Sequence, residues 1–293
     1  MNLNLGDTYA ILTAFCWSSA VILFDVSSRK LSSLQMNVIK NFIGVIGFIG
    51  TIIILNIPIP KLVTSDLIIL IVSGFLGVAI ADLFFLSSLT RLGSGLAAIV
   101  STIYSPAIFL FSFLMFNETI SIQAYFGAIL VIGGIFISTF KVPTKKDKNT
   151  IIMGVLFGLI AQVLTAYSVL LVKPIMENNS IIIIALIRFS IGLIITAGFL
   201  IFKTNISELI STLKNGLTNV TIVSGSILGT FLSVIFWLAG FKYTLAGRAA
   251  IYNQLSTVLI MILAVIFLKE SMSYKKWIGI LLSVSGALLV SYT

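Results

Sequence analysis

The sequence predicts an all-α integral membrane protein with ten transmembrane helices, arranged as two inverted five-helix repeats around a central cavity. Composition, apolar stretches and an internal repeat lead to this prediction. Of the 293 residues, 59% are hydrophobic and 9% are charged, whereas about a quarter of the residues in soluble domains are charged. No polar stretch is long enough for a second domain, so we expect the whole chain to lie in the membrane.

Ten apolar stretches are separated by charged, proline or asparagine clusters. Each is long enough for a helix to cross a hydrocarbon core of about 30 Å. They cover about residues 7–24, 34–55, 66–89, 94–116, 120–140, 151–172, 180–202, 219–241, 247–268 and 273–292. The first is the most polar, with Thr13, Trp17 and Asp25, which indicates that it faces protein or a water-filled cavity.

The two halves of the chain resemble each other. A shift of 152 positions superposes pairs such as Gly95 and Gly247, Glu118 and Glu270, Gly77 and Gly229, and Gly134 and Gly286. A shift of 148 superposes Lys40 on Arg188, and the shift changes in the loop after the second stretch. Five spans per half reverse the orientation of the second copy, which predicts inverted repeats at 1–140 and 151–293, joined by a basic linker at 141–150.

Both halves also contain a helix that ends in a glutamate, followed by a turn and another helix. In the first half GSGLAA at 93–98 leads through Pro106 to Asn117-Glu118, and in the second GRAA at 247–250 leads to Lys269-Glu270. These segments resemble the EamA unit of the drug/metabolite transporter superfamily, over nearly the whole chain. The resemblance implies a ten-helix basket around a cavity that carries small metabolites such as amino acids, nucleotide-linked compounds or amines.

Polar and aromatic side chains within the apolar stretches are candidates for a substrate site. Ser101 and Tyr104 share a helix face, and the shift of 152 converts them to Asn253 and Ser256. Hydrogen bonds within or between helices are the alternative role for the hydroxyl groups. The predicted substrate-binding residues are Trp17, Asp82, Ser101, Tyr104, Gln162, Arg188, Trp237, Tyr252, Asn253, Gln254 and Ser256.

Charged residues within the spans are the next candidates. Asp82 is the one acid deep in a span, so it could carry a proton, balance a cationic substrate or accept structural hydrogen bonds. Arg188 could bind a carboxylate or phosphate, whereas Lys40 is interpreted as reaching the headgroups. We expect Asp25 at the membrane interface.

Glu118 and Glu270 mark the ends of the fourth and ninth spans. In both repeats a turn and a new helix follow directly. The two acids are therefore predicted to cap the next helix or to pair with interfacial lysines such as Lys269 or Lys275.

Several function classes are excluded. The chain has no histidine, one cysteine, Cys16, and no nucleotide-binding loop, so we expect no metal, no cofactor and no enzyme activity. The net charge of +9 arises from loops beside apolar stretches, which indicates topology rather than nucleic-acid binding. Its distribution places both termini outside, whereas many relatives in the superfamily are drawn with both termini in the cytoplasm.

These observations predict a secondary transporter of the cytoplasmic membrane that works as a monomer by alternating access. Its substrate would be a small polar metabolite such as an amino acid, an amine or a related compound. Asp82 with the aromatic residues favours a cation, Arg188 with Asn253 favours an anion, and both together suit a zwitterion. Proton coupling, exchange and facilitated diffusion stay open, as does the direction of transport. The alternative is a flippase for a lipid-linked or amphipathic substrate.

Overall fold

A computed structural model describes residues 4–117, 122–139, 147–271 and 273–291 of the chain. Within these residues the secondary structure is helical throughout. The helices are α1 Leu5–Ser27, α2 Ser33–Ile54, α3 Thr64–Ser73, α4 Asp82–Leu92, α5 Ser94–Ser101, α6 Tyr104–Phe116, α7 Ile122–Thr139, α8 Lys148–Asn178, α9 Ile181–Lys203, α10 Ile206–Leu217, α11 Val220–Ser226, α12 Ser233–Tyr243, α13 Ala246–Asn253, α14 Leu255–Leu268 and α15 Tyr274–Ser291.

The starts of the first two helices are determined by local sequence. Asn4 and Ser32 cap α1 and α2, and the side chains of Asp7 and Gln35 return the hydrogen bond to the cap backbone. Such reciprocal boxes satisfy two of the backbone N–H groups that a helix start leaves unpaired. Both helices therefore begin within two residues of the apolar stretches that predict them.

Seven helices in the described part of the chain are long and apolar enough to cross a membrane. They are Leu5–Ser27, Ser33–Ile54, Thr64–Leu92, Ser94–Phe116, Lys148–Asn178, Ile181–Lys203 and Val220–Tyr243. The remaining apolar stretches are also helical, as α7, α15 and the pair α13 and α14. Many large apolar side chains point outwards, such as Phe136 and Ile266, as expected for surfaces that contact lipid.

Two long helices contain a π-helical segment in the middle. These segments are Gly74–Ala81, between α3 and α4, and Ile227–Leu232, between α11 and α12. Gly77 and Gly229, which the shift of 152 superposes, lie one in each segment. A π-helical turn widens the helix and leaves carbonyl groups with weaker helical partners, and Asn37 of α2 donates a hydrogen bond to the Ala79 carbonyl at 3.1 Å.

Two further helices are broken at equivalent positions. The first break separates α5 from α6 at residues 102–103, and the second separates α13 from α14 at Gln254. Pro106 accounts for the first break, because a proline lacks the N–H that the carbonyl four residues earlier would accept. In the second half the break occurs without a proline, and the Gln254 carbonyl accepts from the N–H of Thr257, three residues later.

One helix lies outside the ten predicted stretches. Helix α10 has polar and apolar faces and begins after the cap of Asn205. Gln35 of α2 donates to Glu208 of α10 at 2.9 Å. The helix lies between Arg188 and Gly229, where the repeat shift changes from 148 to 152. Its polar face interrupts the apolar pattern, so the apolar stretches did not predict it. Glu118 and most of the basic linker lie outside the described residues.

Candidate functional site

A cavity of about 150 Å³ lies between helices from both halves of the chain. Its lining residues belong to the first two helices, to both π-helical segments and to the two broken helices, among others. It brings together ten of the eleven predicted site residues: Trp17, Asp82, Ser101, Tyr104, Gln162, Arg188, Trp237, Asn253, Gln254 and Ser256. Their role in substrate binding stays a prediction.

Tyr252 is the one predicted site residue that does not line the cavity. It precedes Asn253 at the end of α13, and adjacent residues on a helix point about 100° apart. Since Asn253 faces the cavity, the Tyr252 side chain lies to one side of it and is half-buried. Its role in substrate binding stays a prediction, like that of the ten residues that line the cavity.

Lys40 forms an ion pair with Asp82 at the edge of the cavity. Its ammonium group contacts the Asp82 carboxylate directly and donates to Asn41 Oδ1 at 3.0 Å. The Lys40 side chain is 6% exposed and also lies over the Phe189 ring, 5.4 Å from its centroid. The expectation that Lys40 reaches the headgroups is therefore wrong, because its ammonium group is buried in an ion pair with a carboxylate on another helix.

Asn41 and Asn37 extend this pair into a polar chain. The Asn41 amide donates to Asn37 Oδ1 at 3.2 Å, and Asn37 in turn donates to the backbone of the first π-helical segment. Asp82 directly follows that segment. The first π-helical segment thus determines the position of the Asp82 carboxylate. Its backbone also accepts the last hydrogen bond of the series that runs from Lys40 through Asn41 and Asn37.

Arg188 also lines the cavity, and its guanidinium group is buried. One nitrogen, Nη2, donates to Ser168 Oγ at 3.2 Å. The other two, Nε and Nη1, have no hydrogen-bond partner among the described residues. The group lies 5.8 Å from the ring centroid of Trp237. A buried guanidinium group with two unpartnered nitrogens can donate hydrogen bonds to an anion.

Three side-chain hydrogen bonds cross between the halves of the chain at the cavity. Gln162 donates to Ser101 Oγ at 3.1 Å. Trp237 donates to the Tyr104 hydroxyl at 3.2 Å. Gln254 donates to Ser105 Oγ at 2.8 Å. The residues beside the two helix breaks therefore also connect the two halves.

Asp25 and Glu270 lie together at the start of α5. Ser94 donates to Asp25 from its backbone at 3.1 Å and from its hydroxyl at 2.6 Å. The Gly95 N–H donates to Glu270 Oε1 at 3.5 Å, and Lys276 lies 3.8 Å from the other oxygen. Glu270 thus caps α5, where a cap of the following helix was predicted, and it also forms an ion pair with a lysine, the predicted alternative, at Lys276.

Burial and nearby charges shift the pKa of Glu270, which lies in the loop between α14 and α15. Burial raises the pKa of its carboxyl above the usual range. The ammonium of Lys276 opposes this rise, whereas the carboxylate of Asp25 adds to it.

The sequence-based search missed several lining residues. Val78 and Thr230 lie in the two π-helical segments, and the shift of 152 superposes them. They directly follow Gly77 and Gly229, so the matched glycines were the signal that could have found them. Phe85 and Phe189 line the cavity as well, but an apolar ring within an apolar helix carries no sequence signal.

No group of three or more potential metal-binding side chains occurs among the described residues. The cavity as described offers charged, amide, hydroxyl and aromatic groups, a set that binds small polar molecules.

Comparisons with known proteins agree with this architecture. The sequence model of the EamA-like transporter family matches the chain twice, at residues 4–140 and 152–292. An uncharacterized transporter of Archaeoglobus fulgidus is 22% identical over 283 residues, which cover 96% of each chain. A solved crystal structure of another protein is similar with a TM-score of 0.65 at 16% identity, again over 96% of each chain, which shows a shared fold.

The family matches confirm the resemblance that the repeat segments indicated. They cover both halves and nearly the whole chain. Together with the long apolar helices they identify a multi-pass membrane protein. The chain belongs to the EamA-like transporter family.

Proposed function

We propose that the protein is a secondary transporter that moves a small polar metabolite across the cytoplasmic membrane by alternating access. In this proposal ten helices cross the bilayer as two inverted repeats, at residues 1–140 and 151–293, joined by the linker at 141–150. One chain suffices, because its own two halves form the cavity.

Paired irregularities support the two-repeat arrangement. The π-helical segments Gly74–Ala81 and Ile227–Leu232 overlap under a shift of 152. The helix breaks after Ser101 and after Asn253 are related by the same shift. Discontinuous helices at matched positions around a central site are common in transporters built from inverted repeats.

The cavity between the two halves carries the proposal. Its polar groups come from both halves, and bonds such as Gln162 to Ser101 and Trp237 to Tyr104 cross between them. If the halves rock against each other, these bonds must break or change partners. A bound polar substrate can replace them, so its binding lowers the cost of the conformational change.

The cluster at the start of α5 forms the gate on one side of the cavity in this proposal. Asp25 holds α1 to Ser94, and Glu270 holds the loop after α14 to Gly95. Gly93 has a φ of +81°, which places the turn before α5 in a conformation that glycine adopts readily. Opening on this side requires both carboxylates to leave the helix start.

Proton coupling, where it operates, runs through Asp82 and Lys40 in this scheme. Protonation of Asp82 removes the charge that holds Lys40. A neutral Asp82 and a released Lys40 would change both the charge and the shape of the cavity edge. Coupling then depends on the pair and not on Asp82 alone.

A flux assay in proteoliposomes tests the proposal. The purified protein is reconstituted and offered radiolabelled amino acids, quaternary amines, nucleosides and small carboxylates, each with and without an imposed proton gradient. We expect saturable flux of at least one compound. The substitution Ser101→Trp fills the cavity and should abolish that flux.

A matched control uses the outer surface of the same bundle. Ile262 of α14 is 45% exposed, so Ile262→Trp adds the same side chain where lipid lies and should leave the flux unchanged. Absence of saturable flux with folded protein, or flux that survives Ser101→Trp, would overturn the proposal. A flux that loses its response to the gradient in Lys40→Gln/Asp82→Asn supports coupling through the pair.

A further inference from the structure

The charges that line the cavity do not cancel. Lys40, Asp82 and Arg188 are the charged residues in its lining. Lys40 and Asp82 neutralise each other in an ion pair. Arg188 contributes a positive charge and has no carboxylate in hydrogen-bond contact among the described residues, so the three together carry a net charge of about +1 at neutral pH.

The buried guanidinium group has spare hydrogen-bonding capacity. The Arg188 residue is 2% exposed, yet its Nε and Nη1 lack partners among the described residues. Arginine binds a carboxylate through two parallel hydrogen bonds that come from Nη2 together with either Nε or Nη1. Both of those partners are free here, and Nη2 has a second N–H beside the one that donates to Ser168. Leaving such a group buried and unpaired is costly, which a bound anion would relieve.

A second polar atom at the cavity also lacks a partner. Asn253 Oδ1 is buried and accepts no hydrogen bond from the described residues. An amide oxygen only accepts, so a ligand satisfies it with an O–H or N–H group. The unpartnered atoms of Arg188 and Asn253 are therefore complementary to a ligand with an anionic group and a neighbouring hydrogen-bond donor.

The same geometry disfavours a cation or a zwitterion. Asp82 is the one acid in the cavity lining, and Lys40 occupies its carboxylate. Arg188 already lies over the Trp237 face, and Trp17 packs against Phe85 with ring centroids 5.3 Å apart. A ligand ammonium group would add positive charge to a positive site without gaining a free carboxylate.

We propose that the transported substrate is a small organic monoanion, a carboxylate that also bears a hydroxyl or N–H donor. Arg188 binds the carboxylate through Nε or Nη1 together with the second N–H of Nη2, and the amide oxygen of Asn253 accepts a hydrogen bond from the ligand's donor. This inference rests on the proposed transport function for its use in the cell. Binding itself requires only the cavity.

Two series of matched probes test the inference on the purified full chain. L-lactate, L-alanine and lactamide share one skeleton, with a carboxylate and hydroxyl, a carboxylate and ammonium, or a neutral amide and hydroxyl. Mandelate, phenylglycine and mandelamide repeat these changes on a larger body. A ligand that binds only the folded protein raises its unfolding temperature, which is measured in detergent at constant ionic strength.

We expect at least one of the two hydroxy acids to raise the unfolding temperature in a saturable manner, and its zwitterionic and neutral partners to have little effect. Arg188→Gln should abolish the shift. Arg188→Lys keeps the charge but loses the fork, so it should weaken binding by about tenfold or more. The control Arg29→Gln, at an exposed arginine, should bind as the unaltered protein does.

Stability without ligand separates a binding arginine from a structural one. Arg188 is buried without a carboxylate in hydrogen-bond contact among the described residues, and the nearby carboxylate of Asp82 is paired with Lys40. Arg188→Gln should therefore leave the unfolding temperature of the unliganded protein unchanged or raise it. A large decrease would indicate a structural role and would overturn the inference. No preference for the anion in either series, or an anion effect that survives Arg188→Gln, would overturn it as well.

Flux measurements keep this inference separate from the transport proposal. Binding of lactate or mandelate that depends on Arg188, without flux in proteoliposomes, retains the anion site and rejects transport. Saturable flux of a zwitterion or cation that is independent of Arg188 retains transport and rejects the anion site. Flux of the hydroxy acid that requires Arg188 supports both.

Discussion

Lys40 of α2 and Asp82 of α4 form an ion pair at the cavity, and the two residues differ in how far they are buried. The Lys40 side chain is 6% exposed and that of Asp82 is 22% exposed. Lys40 has only this carboxylate and Asn41 as polar side-chain partners in the described structure, whereas Asp82 lies near a second cation, Arg188. Removing Asp82 and removing Lys40 should therefore change the stability of the protein by different amounts.

Asp82→Asn should destabilise the protein more than Lys40→Gln. The first substitution leaves a buried ammonium without a counter-charge, which costs roughly 3–5 kcal/mol in buried pairs. After Lys40→Gln the carboxylate can turn to Arg188, so the cost is smaller. Chemical or thermal unfolding in detergent measures both.

The double variant Lys40→Gln/Asp82→Asn is the control for this prediction. It should recover most of the stability that Asp82→Asn loses, because no unpaired charge remains. Equal costs for the two single variants, or strictly additive costs in the double variant, would contradict a coupled pair.

Asn253→Cys should react with a small, water-soluble thiol reagent once Cys16 has been replaced by serine. Asn253 lines the cavity. Water in the cavity would hydrate the thiolate, which is the form of the cysteine that reacts. Ile262→Cys, on the exposed side of α14, should stay unlabelled because lipid surrounds it. Labelling is read by mass spectrometry, and a result in which Asn253→Cys fails to react in either membrane orientation argues for packing instead of a cavity.

Glu270 should make stability depend on pH. Because its pKa is raised in the folded protein, the folded state binds a proton more tightly than the unfolded state does. The stabilisation is complete below the ordinary carboxyl pKa of about 4.3 and is lost as the pH rises through the raised value. The free energy of unfolding should therefore fall over that interval.

Glu270→Gln should flatten this part of the pH profile. The variant keeps a polar side chain at Gly95 without the charge, and unfolding is followed between about pH 4 and pH 8, on both sides of the ordinary carboxyl pKa. Glu177→Gln, at an exposed glutamate, serves as the control and should leave the profile unchanged. A profile that Glu270→Gln does not alter would assign the pH dependence to another group.

Gly134→Ala should destabilise the contact between α7 and α15. An added Cβ would collide with Ser283 of α15 and lie 2.6 Å from the Gly279 carbonyl oxygen. Overpacking of this kind costs typically about 1–3 kcal/mol. Unfolding measurements should show this loss.

The neighbouring glycine offers a matched control for that substitution. A Cβ at Gly133 has no atom within 4 Å, so Gly133→Ala should be neutral or slightly stabilising, since alanine favours a helix by about 1 kcal/mol over glycine. Similar effects of the two alanines would mean that α7 does not pack closely on α15.

Much of the candidate site follows from helix periodicity within each half. Ser101 with Tyr104, and Asn253 with Ser256, were identified because residues three positions apart share a face, and all four line the cavity. Tyr252, which was predicted from its position beside Asn253, lies outside the cavity lining. The π-helical segments were not predicted, since a widened turn leaves the apolar stretch unchanged. Helix α10 was not predicted, since its polar residues keep it from forming an apolar stretch.

The sequence by itself determined the class of protein, the helical stretches and the internal similarity, because composition, span length and periodicity are properties of one segment at a time. Only the tertiary structure decided which charges meet. The shift of 148 superposes Lys40 on Arg188, yet Lys40 pairs with Asp82, while Nε and Nη1 of Arg188 have no hydrogen-bond partner among the described residues. That difference depends on how the helices are placed against one another, including the π-helical segment before Asp82, and a charge on one helix does not reveal its neighbour on another.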